Sequence, residues 1–301
     1  MSRPIDKEDS RMNALVIGVS AYDTIIKINQ MPVLKEDVSI WAEDVYQTVG
    51  GTGAGKALAL NALGVNTRLV TDLAYDDAGK KIIDFFNQQA LFYKILPSNQ
   101  TTTHTNIMHD QGERMSIFTS MSTNVETVNI DKDIDKADIV FLNINDYCRD
   151  YIPSIKKYQK PIIVDIHDYE PGNPYHQEFI QAADILFVSG VNLDDQESFL
   201  RNHIIDKEMV VITNGKDGSI AINSNNKIYK EKAYKGFDYV DSNGAGDTFS
   251  IAFTYAYYRH HSIDVALKFS SVAAGMACAS KDIFHPDASI YNIEKIIKNH
   301  N

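Results

Sequence analysis

Five short runs, at 14–18 (ALVIG), 139–142 (IVFL), 161–164 (PIIV), 184–188 (DILFV) and 209–212 (MVVI), constrain this chain more than anything else in it. Each is nearly continuous in apolar residues instead of alternating. A strand of that kind is buried on both faces, as in a parallel sheet whose crossovers cover both sides. Helix-like segments separate them, among them 152–158. Strands alternating with helices imply βαβ units and a parallel sheet.

The rest of the chain fits around that frame. Residues 25–28 alternate weakly until Pro32, and 38–49 read as a half-exposed strand pair. A glycine-rich turn is expected over 50–55, and a helix over 56–63 with Gly64 as its C-cap. Next come a strand at 67–71 and an amphipathic helix over 77–92. Residues 101–128, rich in Thr, Ser and Met, read as exposed strands. Helical patterns occupy 248–259, 263–279 and 293–299. The expectation is one α/β sandwich over residues 1–301, with a small β-rich piece built from insertions at about 24–49 and 101–128. No internal repeat or Pro/Gly/Ser linker divides it.

Charge and cysteine count exclude several classes. Forty acidic residues against 29 basic ones give a net charge of −11. That disfavours a nucleic-acid partner, whose binding is driven by phosphate neutralisation. The two cysteines, Cys148 and Cys278, form neither a disulfide framework nor a zinc spacing, so a reducing, cytoplasmic home is expected. Residues 1–12 lack the apolar core of a signal peptide. No run approaches the roughly 18 apolar residues of a membrane span.

Three motifs carry potential chemistry. The segment 50–57 (GGTGAGKA) has phosphate-loop spacing, with Lys56 in the lysine position. Ala57 stands where that loop needs a metal-binding hydroxyl, and no buried strand precedes it. A tight turn before a helix, or backbone amides touching a hydroxylated ligand, are the other readings. The segment 240–249 (VDSNGAGDTF) sets Gly244, Ala245 and Gly246 directly before a strong helix. Amides unpaired at a helix start make an anion site, and Asp247 beside them reads as the cap. An anion nest next to a carboxylate suits phosphoryl transfer, in which donors hold the γ-phosphate and the carboxylate accepts a hydroxyl proton. An ordinary N-cap is the plainer alternative. The third segment, 212–219 (ITNGKDGS), is a hairpin turn that becomes a candidate nucleotide contact only beside the second motif.

Taken in order, these residues resemble the ribokinase/PfkB-type carbohydrate kinases over nearly the whole chain. Gly18 and Asp23, the glycines 50, 51 and 53 with Ala54, the acidic turn at 76–79, and Asp241 with 244–247 match the family's signatures. The resemblance implies a ribokinase-like three-layer α/β/α sandwich with a mostly parallel central sheet and a small β-sheet lid. It implies ATP-dependent phosphorylation of a hydroxyl on a small sugar-like substrate. Asp247 would be the base and Gly244, Ala245 and Gly246 the anion hole. Asp23, Gly50, Gly51 and Gly55 would bind substrate, and Thr213, Gly215 and Gly218 would bind ATP. Mg²⁺ is implied with the ATP, without a directly assigned protein ligand, as is a homodimer through the lid.

Departures from the pattern are specific. Gly55 replaces an asparagine that binds a sugar hydroxyl. Residues 189–192 (SGVN), followed by Asp194 and Asp195, replace an N-x-x-E motif that organises magnesium. Asp168 and Tyr169 stand in place of an arginine. Ile283 replaces a glycine common in cation-activated relatives, which leaves monovalent-cation dependence open. Arg114 reads either as a substrate or phosphate contact or as a solvated turn residue, and Lys216 either as a helper beside the ATP phosphates or, more simply, as a surface lysine. His104, His109 and His167 read as surface or core histidines. A nucleoside kinase of the same fold, a ligand-binding or regulatory protein with weakened catalysis, and a phosphate-loop NTPase using Lys56 are the alternatives.

Overall fold

The computed structural model describes residues 12–29, 31, 39–109, 114–167 and 169–299. Its strands are β1 (Asn13–Ile17), β2 (Ala21–Ile28), β3 (Asp44–Gly50), β4 (Asn66–Leu73), β5 (Phe92–Pro97), β6 (Thr102–His109), β7 (Arg114–Ser120), β8 (Ile139–Leu142), β9 (Ile162–Asp165), β10 (Ile185–Ser189), β11 (Met209–Thr213), β12 (Ser219–Asn223) and β13 (Ile228–Glu231). Its α-helices are α1 (Thr52–Leu63), α2 (Asp77–Gln88), α3 (Asp131–Lys136), α4 (Ile152–Lys157), α5 (Gln177–Ala182), α6 (Gln196–His203), α7 (Ala245–His260), α8 (Ile263–Ala277) and α9 (Ile290–Asn299).

Nine strands form the main sheet, in the order β13-β12-β11-β10-β9-β8-β1-β4-β5. All neighbours from β11 to β5 are parallel, and the β11–β12 and β12–β13 pairs are antiparallel. The five apolar runs are β1 and β8 to β11. Side chains of β1 alternate between two cores: Ala14 and Val16 join one, Leu15 and Ile17 the other. Helices α1, α2, α7, α8 and α9 pack into the first core, and α3 to α6 into the second. The result is three layers, α/β/α.

A second sheet of four strands, β3-β2-β6-β7, stands apart from the main one. The registers of its strands place Asp23, Thr48, His104 and Phe118 in one row, hence on one face. The opposite face carries Ile26, Val45, Ile107 and Met115 in another row.

Several boundaries differ from the sequence reading. The strand pair expected over 38–49 is one described strand, β3; residues 30, 32–38 and 110–113 of the two insertions lie outside the described residues. The glycine-rich 50–55 segment is not an extended turn. Gly51, at φ +90, makes the whole turn between β3 and α1. Gly53 and Gly55 are therefore helical. The helix expected over 77–92 stops at Gln88, because Ala90 turns into the left-handed region at φ +50. Phe92 then opens β5, a strand the helical pattern concealed. Among the described residues, no helix is long and apolar enough to cross a membrane.

Candidate active site

The order of the main sheet reverses direction at β1 and β8: the chain goes on from β1 to β4 on one side and from β8 to β9 on the other. In such sheets the carboxyl ends of strands around the switch point border the ligand crevice. Asn143, Asp165, Ser189 and Thr213 stand at the carboxyl ends of β8, β9, β10 and β11. Two cavities open there. A hairpin cleft of about 720 Å³ lies against the β11–β12 turn and the start of α7. A small-sheet cleft of about 1000 Å³ lies under the second sheet. Thr52, Arg114, His167, Asn243 and Asp247 line both.

Helix α7 begins where the two meet. Gly244 is its N-cap at φ +74, and a Cβ there would stand 2.0 Å from the Ile283 carbonyl oxygen. Only glycine fits that backbone and that contact. The Ala245 amide donates to the Ser242 carbonyl at 3.2 Å, and the first intrahelical bond is Thr248 to Gly244. The amides of Gly246 and Asp247 therefore lie in the unpaired first turn, where the helix favours an anion. Gly244 has no side chain with which to cap this end. Asp247 is the third helical residue and not the cap the sequence suggested, so its carboxylate is available for other partners.

Those partners come from far away in the chain. Lys56 of α1 donates from Nζ to Asp247 Oδ1, in a short contact, and to Asp165 Oδ2 at 3.3 Å. Burial raises the Asp247 carboxyl above the ordinary carboxylate value, the Lys56 charge pulls it back, and Asp165 pushes it up again. Burial works against the Lys56 ammonium, but the two carboxylates outweigh it and hold the ammonium above the ordinary lysine value. This lysine is neither a surface residue nor a phosphate-loop lysine directed into a cleft.

Under the small sheet, Asp23 is 3% exposed and lines the cleft. His104 Nδ1 lies 3.0 Å from Asp23 Oδ1, and Asn106 Nδ2 donates to Oδ2 at 3.3 Å. His104 thus belongs to the cleft rather than to an ordinary surface or core, and its ring meets Phe118 edge-on at 4.4 Å. Gly51 lines the same cleft, whereas Gly50 and Gly55 line neither. Gly50 lies directly beneath the Asp23 carboxylate, and a Cβ on Gly55 would reach 3.1 Å from Asp247 Oδ2. Both act by leaving room, not by touching a cavity.

The hairpin cleft gathers Thr213, Gly215 and Gly218 with Lys216, and Gly244, Ala245 and Gly246 from the start of α7. Ser189 and Val191 of the 189–192 segment line it too, whereas Asp195 caps α6 by accepting from the Ser198 amide at 3.0 Å. Asp241 lines neither cleft. It is 2% exposed and accepts from the Asn243 amide at 2.8 Å, which shapes the loop before α7; burial raises its carboxyl. Arg114 is no plain turn residue: from the start of β7 its Nη1 donates to Asn243 Oδ1 at 3.3 Å. Asp168 lies outside the described residues.

Sequence reasoning missed Thr52, Asp72, Asn143, Asp165 and Asn243. Asn143 and Asp165 had a signal, since each follows a buried parallel strand at its carboxyl end. Thr52 carries none; its hydroxyl accepts a short bond from Asn143 Nδ2. Asp72, raised by burial, accepts from the Tyr147 hydroxyl at 2.8 Å and lines the small-sheet cleft.

Comparison with known proteins decides the class. Residues 13–286 match the pfkB family carbohydrate kinase profile. The chain belongs to the pfkB family of carbohydrate kinases. Among its relatives, the acarbose 7(IV)-phosphotransferase of Actinoplanes sp. is 25% identical over 276 residues, covering 88% of this chain and 92% of that protein. A ribokinase of Arabidopsis thaliana is 24% identical over 309 residues, covering 94% and 80%. Among solved structures, the microbiome-derived acarbose kinase Mak1 superposes with a TM-score of 0.83 at 24% identity, covering 96% of this chain and all of that one. The pfkB-family assignment makes this protein a carbohydrate kinase, an ATP-dependent phosphotransferase for a sugar-like substrate, on a ribokinase fold.

Proposed function

We propose that this kinase transfers the γ-phosphoryl group of ATP to a hydroxyl of a small sugar-like acceptor, with Asp247 taking the hydroxyl proton. The observation that carries the reading is the place of Asp247. Among the described residues it is the one carboxylate lining both clefts, at a helix start whose amides favour an anion. In this reading ATP lies in the hairpin cleft along Thr213, Gly215 and Gly218. The acceptor lies in the small-sheet cleft against Asp23 and Gly51. An ionised carboxylate offers several acceptor sites and suits a diol. The amides of Gly246 and Asp247 face the charge that develops on the transferring group, where positioning and charge stabilisation outweigh proton transfer.

Among the described residues, no group of three or more His, Cys, Asp or Glu side chains is arranged for a metal. In this reading Mg²⁺ would be carried by the nucleotide phosphates and keep most of its waters, as this ion prefers. When bound, the ion offsets phosphate charge beside a protein of net charge −11.

A nucleoside acceptor is the second reading. Phe118, 59% exposed yet lining the small-sheet cleft, offers a ring face to a base. We also assign the outer face of the small sheet to a homodimer. Val45 and Ile117 are 57% and 44% exposed there, and Val45→Glu is expected to convert a sedimenting dimer to a monomer. ADP release measured with Mg-ATP against sugars, sugar acids, sugar phosphates and nucleosides tests the acceptor class. Turnover with a nucleoside alone selects the second reading. No turnover across the panel supports a binding or regulatory protein instead.

A further inference from the structure

Lys56 lines neither cleft, yet its ammonium pairs with two carboxylates that do, Asp165 and Asp247. Its side chain is 3% exposed, and its helical neighbours Ala57, Leu58 and Leu60 are buried and apolar. Packing alone would be served better by leucine or methionine, because a buried ammonium forfeits its hydration. The charge therefore answers to its partners. Asp165 and Asp247 have side chains 11% and 13% exposed, and both meet the same Nζ. Three titratable groups from other elements act on Asp247: Lys56 from α1, and Asp165 and His167 from the end of β9 and the loop after it. Asp247 Oδ1 is committed to Lys56, while Oδ2 stands over Gly55, where the absent side chain leaves it space.

We propose that Lys56 is a positioning residue for phosphoryl transfer: bridging Asp165 and Asp247, it holds the Asp247 carboxylate in place by Oδ1 and leaves Oδ2 to accept the proton. The inference rests on Asp247 being the base. As the acceptor O–H bond breaks, its proton passes to Asp247 Oδ2. The acceptor oxygen bonds to the γ-phosphorus, and the bond to the bridging oxygen breaks, its electron pair leaving with ADP. Asp247 is then neutral, and Lys56 remains protonated with Asp165 as its counter-ion. Asp165 thus keeps the buried cation compensated at the moment Asp247 loses its charge.

The test is the pH dependence of kcat for the full-length protein and for Lys56→Met, Asp165→Asn and Asp247→Asn, with the best acceptor from the panel. Lys56→Met removes the cation that favours ionised Asp247, so its acid limb moves to higher pH. Each pH unit of movement lowers kcat on that limb about 10-fold. Activity recovers on the alkaline side, and the KM for ATP stays within about twofold of the parent. Asp165→Asn removes a like charge, so its limb moves to lower pH. Opposite displacements support the inference, because a merely structural lysine would change both profiles in height alone. Superimposed limbs, or limbs moving the same way, overturn it. If Lys56→Met does not fold, Asp165→Asn decides alone: movement to lower pH supports the inference, and no movement or movement upward overturns it. Asp247→Asn separates the two levels. If it keeps parental turnover, the base assignment and the inference fall together. If it collapses while the other limbs stay put, only the inference falls.

Discussion

The Asp23 carboxylate rests on the bare Cα of Gly50: a Cβ at that glycine would stand 2.1 Å from Asp23 Oδ2. Gly50 pairs with Ala21 and Asp23 with Thr48, so the two residues meet diagonally across paired strands β2 and β3, beside the row that also holds His104. Gly50→Ala must therefore displace the carboxylate. The expected outcome is a rise in the acceptor KM with the KM for ATP unchanged, read from initial rates with each substrate varied in turn. A proportional change in both constants would place Asp23 outside the acceptor site.

Gly244 shapes the start of α7 by conformation and by contact. Its φ of +74 and its closeness to the Ile283 carbonyl leave no space for alanine. Gly244→Ala is expected to lower stability by about 1–3 kcal/mol, the usual cost of a strained left-handed residue. The measurement is the denaturant midpoint at constant m-value. Activity is expected to fall with it, because the first-turn amides shift with the cap.

How much of this was legible in the sequence depended on distance along the chain. The central strands β1 and β8 to β11 showed themselves because burial on both faces leaves continuous apolar runs. The candidate anion site at α7 is legible because its small residues and Asp247 are contiguous. Lys56 was not. Read locally, a lysine just after glycines suggests a phosphate loop, while its partners Asp165 and Asp247 lie 109 and 191 residues further on. Only the fold brings those three together. Phe92 was misread for a different reason: the helical pattern runs on past Gln88, and nothing in it announces that Ala90 takes a positive φ.

Asp76 caps α2, accepting from the amides of Gly79 and Thr101, each at 2.8 Å. Burial pushes its carboxyl up, yet these amides outweigh burial and hold it below the ordinary value of 3.8. A depressed folded-state pKa means stability present above the unfolded pKa and lost as pH falls through the folded one. Asp76→Ala is expected to cost about 1 kcal/mol at neutral pH. The gap between parent and variant should close as the pH falls below the ordinary carboxylate range. A gap independent of pH would show that the loss comes from packing.

Arg114 joins the small sheet to the loop before α7 through Asn243, and it lines both clefts. Arg114→Ala is expected to reduce kcat/KM for the acceptor by about 10-fold, the worth of one charged hydrogen bond, while thermal unfolding is unchanged. A fall in melting temperature with unaltered kinetics would make Arg114 a strut between the two sheets.

The central claim is that Asp247 is the base for transfer to an acceptor hydroxyl, and ADP release in parent and Asp247→Asn tests it most directly. With Mg-ATP and the acceptor found in the panel, the parent should turn over only when acceptor is present. Asp247→Asn should lose about 10²–10⁴-fold in kcat, the range of general-base help, while binding ATP as the parent does. Acceptor-dependent turnover that survives the substitution at parental rate would contradict the claim.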